Sequence, residues 1–356
     1  MSISPRFRGF SQHPNIISPW VDAVFIWGAP ILGLVLALGI YWHWIPNDMV
    51  SVGLSRSRFW EIVVLLFFTQ AHLFIVLFRA YFNPDIFRSY RTRFLWGPPL
   101  LLIGSLFSDW FLMLLLMLNV WWDAYHSALQ TFGFARLYDA KLGNPPAQGR
   151  RLDYVFNLII YLGPMLGGAT LLPMVYKFHE VNFLRVMFFE SIPITVYHWS
   201  SAIFWGVLTF SVLFSIYYLW QYWRYMQAGY KVNVYKVVLL IATAFTSILA
   251  WGLNSFGMAF LIANFFHAWQ YFAIVVHTEH GHVAQRLGFS RWRGAKALAA
   301  IVILGSGFLF SYWISTQIAI GGQTQSRIAV SVLATVAALH FWYDGFVWSV
   351  RKRDFG

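Results

Sequence analysis

The sequence contains no cysteine, and only 11% of its 356 residues are charged. The lack of thiols excludes disulfides, thiolate metal sites, iron–sulfur clusters and cysteine nucleophiles. The low charge excludes an ordinary soluble domain, in which about a quarter of the residues are charged. Any bound metal must therefore be held by histidine, carboxylate or amide ligands.

What the sequence has in abundance is apolar residues, at 59% of the chain, with aromatic residues at 20%. They occur in uninterrupted runs that are long enough to cross a bilayer as helices. The sequence therefore predicts an all-α fold, a polytopic integral-membrane helical bundle that forms a single transmembrane domain over residues 1–356. We expect about ten transmembrane helices, at residues 21–43, 59–82, 94–107, 109–137, 154–177, 201–222, 236–253, 254–277, 296–316 and 327–349.

The basic residues predict how these helices are oriented. About four-fifths of the 25 lysines and arginines fall on one side of the predicted spans, and the positive-inside rule assigns that side to the cytoplasm. Both termini are then cytoplasmic, with a short N-terminal segment (1–20) and a basic tail (350–356), and an amphipathic segment at about 179–200 is external. The net charge of +12 reflects orientation and anionic headgroups, not nucleic acid. We expect a multi-pass protein of a bacterial-type inner (plasma) membrane.

Four histidines lie at one predicted depth in the membrane: His72, His126, His267 and His340. Each is about ten residues, or roughly 15 Å, from the cytoplasmic end of its span. Other polar residues share their helical faces, namely Asp123 and Gln130 beside His126, Asn264 and Gln270 beside His267, and Asp344 beside His340. A carboxylate inside a span is costly unless it is paired or coordinated, so this layer predicts a binding site.

Histidine and carboxylate ligands without thiolate suit non-haem iron. The predicted ligands of one or two iron ions are His72, His126, His267, His340, Asp123 and Asp344. The two aspartates are also the candidate catalytic groups. Supporting roles, such as fixing imidazole tautomers or relaying protons, are predicted for Gln130, Asn264, Gln270 and His277.

This site predicts an oxidoreductase or oxygenase that acts on a membrane lipid or another hydrophobic, lipid-soluble substrate. Arg79, Arg136 and the loop at residues 286–296 are predicted to hold an anionic headgroup or a cytoplasmic electron donor. Three alternatives remain open. One is a haem b electron-transfer protein, or a subunit of a larger complex. Another is a proton- or metal-coupled transporter, and the last is a set of histidines that only hydrogen-bond across helices.

The layer of four histidines is similar in outline to the architecture of the bacterial carotene-cleaving dioxygenases. Their local sequence signatures do not occur here, so the sequence assigns no family. His277, His280 and His282, near the end of the eighth predicted span, resemble one histidine box of the membrane fatty-acid hydroxylases and desaturases, but the partner boxes of those enzymes do not appear.

Overall fold

A computed structural model describes residues 14–42, 68–180, 187–254 and 256–348. All regular elements of these residues are helical, and none is a strand, which confirms the predicted all-α class. In chain order the helices are α1 (Gly28–Tyr41), α2 (Ala71–Leu77), α3 (Pro84–Phe107), α4 (Asp109–Lys141), α5 (Arg150–Gly167), α6 (Leu171–Glu180), α7 (Met187–Gln227), α8 (Val234–Ser247), α9 (Phe256–Arg286), α10 (Ala295–Ile320) and α11 (Gln323–Val347). A short turn, Pro19–Val21, precedes α1, and π-helical turns occupy Asp22–Ile26, Phe78–Phe82 and Ile248–Gly252.

Six segments of the described chain are long and apolar enough to cross a membrane, which supports the predicted helical membrane protein. They are Pro19–Gly39, Ile194–Gln227, Val234–Gly252, Met258–Arg286, Ala295–Ile320 and Gln323–Val347. The larger count of about ten spans and the cytoplasmic position of both termini stay predictions. Most of the N-terminal segment and the basic tail lie outside the described residues.

Helix α7 carries exposed aromatic side chains near both ends of its apolar stretch. Trp199 is 63% exposed and Trp220 is 48% exposed, and at 1.5 Å per residue they are roughly 32 Å apart along the helix. The hydrocarbon core of a bilayer is about 30 Å thick, and tryptophan concentrates at its two interfaces. The outer face of α7 therefore has the pattern of a helix in contact with lipid.

The chain divides into two compact units, and each is described by itself. Unit 1 comprises Met1–Ile45 and Ala124–His267, and unit 2 comprises Pro46–Asp123 and Ala268–Gly356. In unit 1, α5 packs against α7 and α8, while α6 packs against α7 and α1 against α8. In unit 2, α11 packs against α2, α3 and α10, and α10 also packs against α2. The single-domain organisation stays a prediction.

One predicted span, at residues 154–177, is two helices in the structure, α5 and α6, because the chain breaks after Gly167. The backbone amides of Ala169 and Thr170 donate to the carbonyls of Gly252 and Trp251, at 3.0 and 3.3 Å. A Cβ atom on Gly168 would lie 2.4 Å from the Cα of Gly252, so only glycine permits this approach. The break therefore packs the start of α6 onto the π turn that follows α8.

Two other helices extend beyond their predicted bounds. Helix α9 continues to Arg286, about two turns beyond the predicted end at residue 277, so the histidine-rich stretch His277–His282 is helical and not a helix end. Residues 187–200 of the predicted external segment form the first turns of α7, and residues 181–186 lie outside the described residues.

Candidate metal centre

Unit 2 contains a pair of fully buried histidines, His72 on α2 and His340 on α11, each with 0% exposure. Their imidazole rings are nearly perpendicular, at 87°, and the ring centroids are 5.0 Å apart. One ring nitrogen of each lies within 4.8 Å of one ring nitrogen of the other. These two predicted ligands therefore lie side by side within the unit.

The local backbone of α2 fixes the ring of His72. This short helix lies between π-helical residues 68–70 and the π turn Phe78–Phe82. The Nδ1 atom of His72 lies 2.5 Å from the carbonyl oxygen of Phe68. Because a carbonyl only accepts hydrogen bonds, Nδ1 carries the proton of the neutral ring and Nε2 carries the lone pair. This is the tautomer that offers Nε2 to a metal ion.

A carboxylate lies beside the second histidine of the pair. Asp344 follows His340 by one helical turn, and its Oδ2 is 3.9 Å from the Nε2 of His340. Its Oδ1 accepts hydrogen bonds from the hydroxyl of Tyr271 and from the indole N–H of Trp348, both at 2.9 Å. The ring centroid of Tyr271 is 4.7 Å from that of His340. Tyr271 and Trp348 thus orient the carboxylate of Asp344. The sequence predicts the position of Asp344 beside His340 but not these two hydrogen-bond donors.

Unit 1 contains the second pair, His126 on α4 and His267 on α9, both buried. These rings are also nearly perpendicular, at 84°, with centroids 5.0 Å apart. The side-chain amide of Gln130 donates to the backbone carbonyl of His267 at 3.0 Å, which joins the two helices at the pair. The amide of Asn264 donates one turn back to the carbonyl of Phe260 at 3.1 Å. The prediction that these amides set the imidazole tautomers stays a prediction.

The ring separation in both pairs can be compared with that of two imidazoles bound to one metal ion. With a metal–nitrogen distance of 2.0–2.1 Å, tetrahedral ligation places the two ring centroids roughly 5 Å apart. Ligation from opposite sides of a haem iron places them roughly 6 Å apart. The observed 5.0 Å in each pair is compatible with the first arrangement, and it is also an ordinary separation of two packed aromatic rings.

A buried ion pair lies next to Asp344 in unit 2. The guanidinium of Arg79 donates to the carboxylate of Glu279 at 2.5 Å and to the carbonyl of Val347 at 3.1 Å, and it lies 3.8 Å from the ring centroid of Trp348. Glu279 is also 3.0 Å from the Nδ1 of His282. Arg79 was predicted to hold a headgroup or an electron donor, and its burial in this ion pair corrects that prediction.

A second group of buried charges, the charge cluster, lies in unit 1 and consists of Arg136, Asp139, Asp153, Lys236 and Tyr222. Lys236 donates to Asp139 at 2.7 Å, to Asp153 at 2.8 Å and to the hydroxyl of Tyr222 at 2.6 Å. Arg136 donates to Asp139 at 2.9 Å and to Asp153 at 2.5 Å. Because Arg136 is buried here, it too is unavailable to a headgroup, contrary to the sequence prediction.

The two carboxylates of the charge cluster, which lie just outside the predicted spans, have different proton affinities. Burial, the largest influence, raises the pKa of the Asp139 carboxyl above its ordinary value of 3.8, against the opposing attraction of Lys236. Burial also acts to raise the pKa of Asp153, but Lys236 and Arg136 together outweigh it and lower that pKa below 3.8. As the pH falls, Asp139 is therefore the first of the two to take up a proton.

The remaining predicted site residues are placed as follows. Asp123 on α4 and Gln270 on α9 are buried, whereas His277 on α9 is exposed. Their predicted roles as ligand, supporting group and relay stay predictions. The side-chain carbonyl of Gln70, just before α2, accepts a hydrogen bond from Ser311 on α10 at 3.1 Å.

Comparisons with known proteins identify no relative of this chain. No protein-family model matches the chain, and neither a curated protein nor a solved structure matches it.

Proposed function

We propose that this protein is an integral-membrane, metal-dependent oxidoreductase of a bacterial-type inner membrane, with non-haem iron held by its buried histidines. The observation that carries the proposal is the His72–His340 pair with Asp344 beside it. Two perpendicular imidazoles at 5.0 Å and an adjacent carboxylate form a donor set that suits a first-row transition metal without thiolate ligands. The spacing of the second pair, His126 and His267, supports the same chemistry.

The chain's own residues have distinct roles in this proposal. His72 and His340 provide ring nitrogens, and Asp344 provides either a further ligand or a hydrogen-bond acceptor that orients His340. Tyr271 and Trp348 hold Asp344 in place, as the outer partners of metal ligands commonly do. A bound iron would supply the redox chemistry with dioxygen.

The substrate class follows from the surroundings of the site. The residues that pack near the pairs are aromatic and apolar, including Phe341 beside His340 and Phe266 next to His267 in sequence. An apolar site inside a helical membrane protein suits a hydrophobic substrate that enters from the lipid, such as an acyl chain, a polyene, a sterol-like lipid or a quinone. An electron donor at the cytoplasmic side is part of the same proposal.

Metal analysis of the purified full chain tests this function. We expect one or two iron ions per chain, an absorption spectrum without a Soret band, and loss of iron in His72→Ala, His340→Ala, His126→Ala and His267→Ala. The matched control is His280→Ala, because the ring of His280 on α9 bonds only to helix carbonyls, those of Val276 and His277, among its described contacts.

The outcomes separate the proposal from its alternatives. A Soret band would replace non-haem iron with haem b and an electron-transfer role. A wild-type chain without stoichiometric metal, after expression in iron-supplemented medium, would contradict metal chemistry altogether and leave a polar layer of the kind that transporters use.

A further inference from the structure

The turn between α9 and α10 in unit 2 is strongly basic and exposed. The basic loop (residues 286–296) carries four cationic side chains on its exposed surface, Arg286, Arg291, Arg293 and Lys296. The sequence has no aspartate or glutamate between Glu279 and Asp344, and Glu279 is buried in its ion pair with Arg79. The positive charge of the loop is therefore not neutralised from within this stretch of the chain.

The loop has a defined shape that presents these charges outward. Gly288 and Gly294 have φ values of +80° and +86°, a conformation that glycine adopts without strain. Phe289 is buried, and its amide donates to the carbonyl of Ala284 at 3.0 Å. The ring centroid of Trp292 lies 6.2 Å from that of Phe289, yet Trp292 is 65% exposed. The buried ring of Phe289 thus anchors the loop, while its arginines and Trp292 remain exposed.

The position of the loop is set by the helices that it joins. Met258–Arg286 and Ala295–Ile320 are both long and apolar enough to cross a membrane, so a turn between them lies at a bilayer surface. Tryptophan is favoured at the level of the headgroups, and clustered arginine and lysine next to a span attract anionic lipid. Leu287, 49% exposed, adds apolar surface beside the charges.

We propose that the basic loop is a binding site for the phosphate headgroups of anionic membrane lipids. The combination of cations with exposed Trp292 and Leu287 fits an amphiphile, because a headgroup brings negative charge and glycerol and acyl atoms to the same place. A soluble anion would use only the charges. The proposal is independent of the metal centre, and the metal content of each preparation reports the two separately.

The test uses the delipidated full chain in a neutral detergent and measures lipid binding by native mass spectrometry. Phosphatidylglycerol and phosphatidylcholine with identical acyl chains are compared. We expect the wild type to bind phosphatidylglycerol more tightly than phosphatidylcholine. The variant Arg291→Gln/Arg293→Gln/Lys296→Gln is expected to bind phosphatidylglycerol roughly 100-fold more weakly, at about five-fold for each charge removed.

Two control variants distinguish this site from general charge and from misfolding. Arg291→Lys/Arg293→Lys keeps the charge and is expected to keep the binding. Arg88→Gln/Arg91→Gln removes exposed charges from α3 and is expected to change binding by less than about five-fold. Equal binding of the two lipids, an unaffected triple variant, or an equal loss in the α3 variant would overturn the proposal. Displacement of the lipid by millimolar inorganic phosphate would reassign the loop to a soluble anion, and displacement by an acidic protein alone would reassign it to a protein partner.

Discussion

Replacing Lys236 with methionine tests whether the charge cluster holds unit 1 together. The ammonium of Lys236 contacts three groups from three other helices: Asp139 of α4 at 2.7 Å, Asp153 of α5 at 2.8 Å and Tyr222 of α7 at 2.6 Å. Methionine keeps the length of the side chain but removes the charge. Two buried carboxylates would then share the single guanidinium of Arg136, which leaves one buried negative charge without a counter-ion.

Breaking a buried ion pair by removing one partner costs about 3–5 kcal/mol, because the remaining charge stays buried. For a chain of this size we expect the thermal unfolding midpoint of Lys236→Met to fall by roughly 5 °C. The measurement is tryptophan fluorescence against temperature in detergent, at neutral pH. The double variant Lys236→Met/Asp139→Asn restores the balance of one carboxylate to one guanidinium, and we expect it to recover about 1 kcal/mol or more.

The control for this experiment is Lys231→Met. Lys231 is an exposed lysine just before α8, and exposed charges contribute about 1 kcal/mol at most. The reasoning is refuted if Lys236→Met unfolds at the same midpoint as Lys231→Met, or if the double variant is destabilised by the sum of its two single changes.

Two further predictions follow from the same contacts. Tyr271→Phe removes the hydroxyl that donates to Asp344, so metal affinity is expected to fall 10- to 100-fold in competition with a chelator. The matched change Tyr343→Phe, whose hydroxyl lies 3.3 Å from that of Tyr81, should leave metal affinity unchanged. The pKa of Asp139 is raised above its ordinary value and that of Asp153 is lowered below it. The protein is therefore expected to become more stable as the pH falls through the raised pKa of Asp139, which lies above 3.8. It is expected to become less stable as the pH falls further, from 3.8 towards the lowered pKa of Asp153. Unfolding midpoints between pH 3 and 8 check this, since Asp139→Asn should remove the rise and Asp153→Asn should remove the acid loss.

The sequence predicts those features that depend on local pattern. Long apolar runs predict helices, and the spacing of polar residues along one helix places His340 and Asp344 on the same face, one turn apart. The structure agrees, with a distance of 3.9 Å between them. The pairing of His72 with His340 follows less directly, because a common depth in a membrane limits which residues can meet but does not determine which ones do.

The sequence does not predict contacts between charges that are far apart in the chain. Arg79 and Glu279 are 200 residues apart, and Lys236 is 97 residues from Asp139. No local pattern distinguishes these buried charges from the loop charges that orient a membrane protein, so the sequence alone places Arg79 and Arg136 at the surface. The sequence does not predict the break at Gly168 for a similar reason, since its cause is the approach of a distant π turn.

The most direct test of the metal centre is the iron content of His340→Ala compared with that of the wild type, measured by inductively coupled plasma mass spectrometry on the purified full chain. The account predicts stoichiometric iron in the wild type, loss of iron in His340→Ala, and full retention in His280→Ala. Equal iron in all three proteins, or none in the wild type after expression in iron-supplemented medium, would contradict the account.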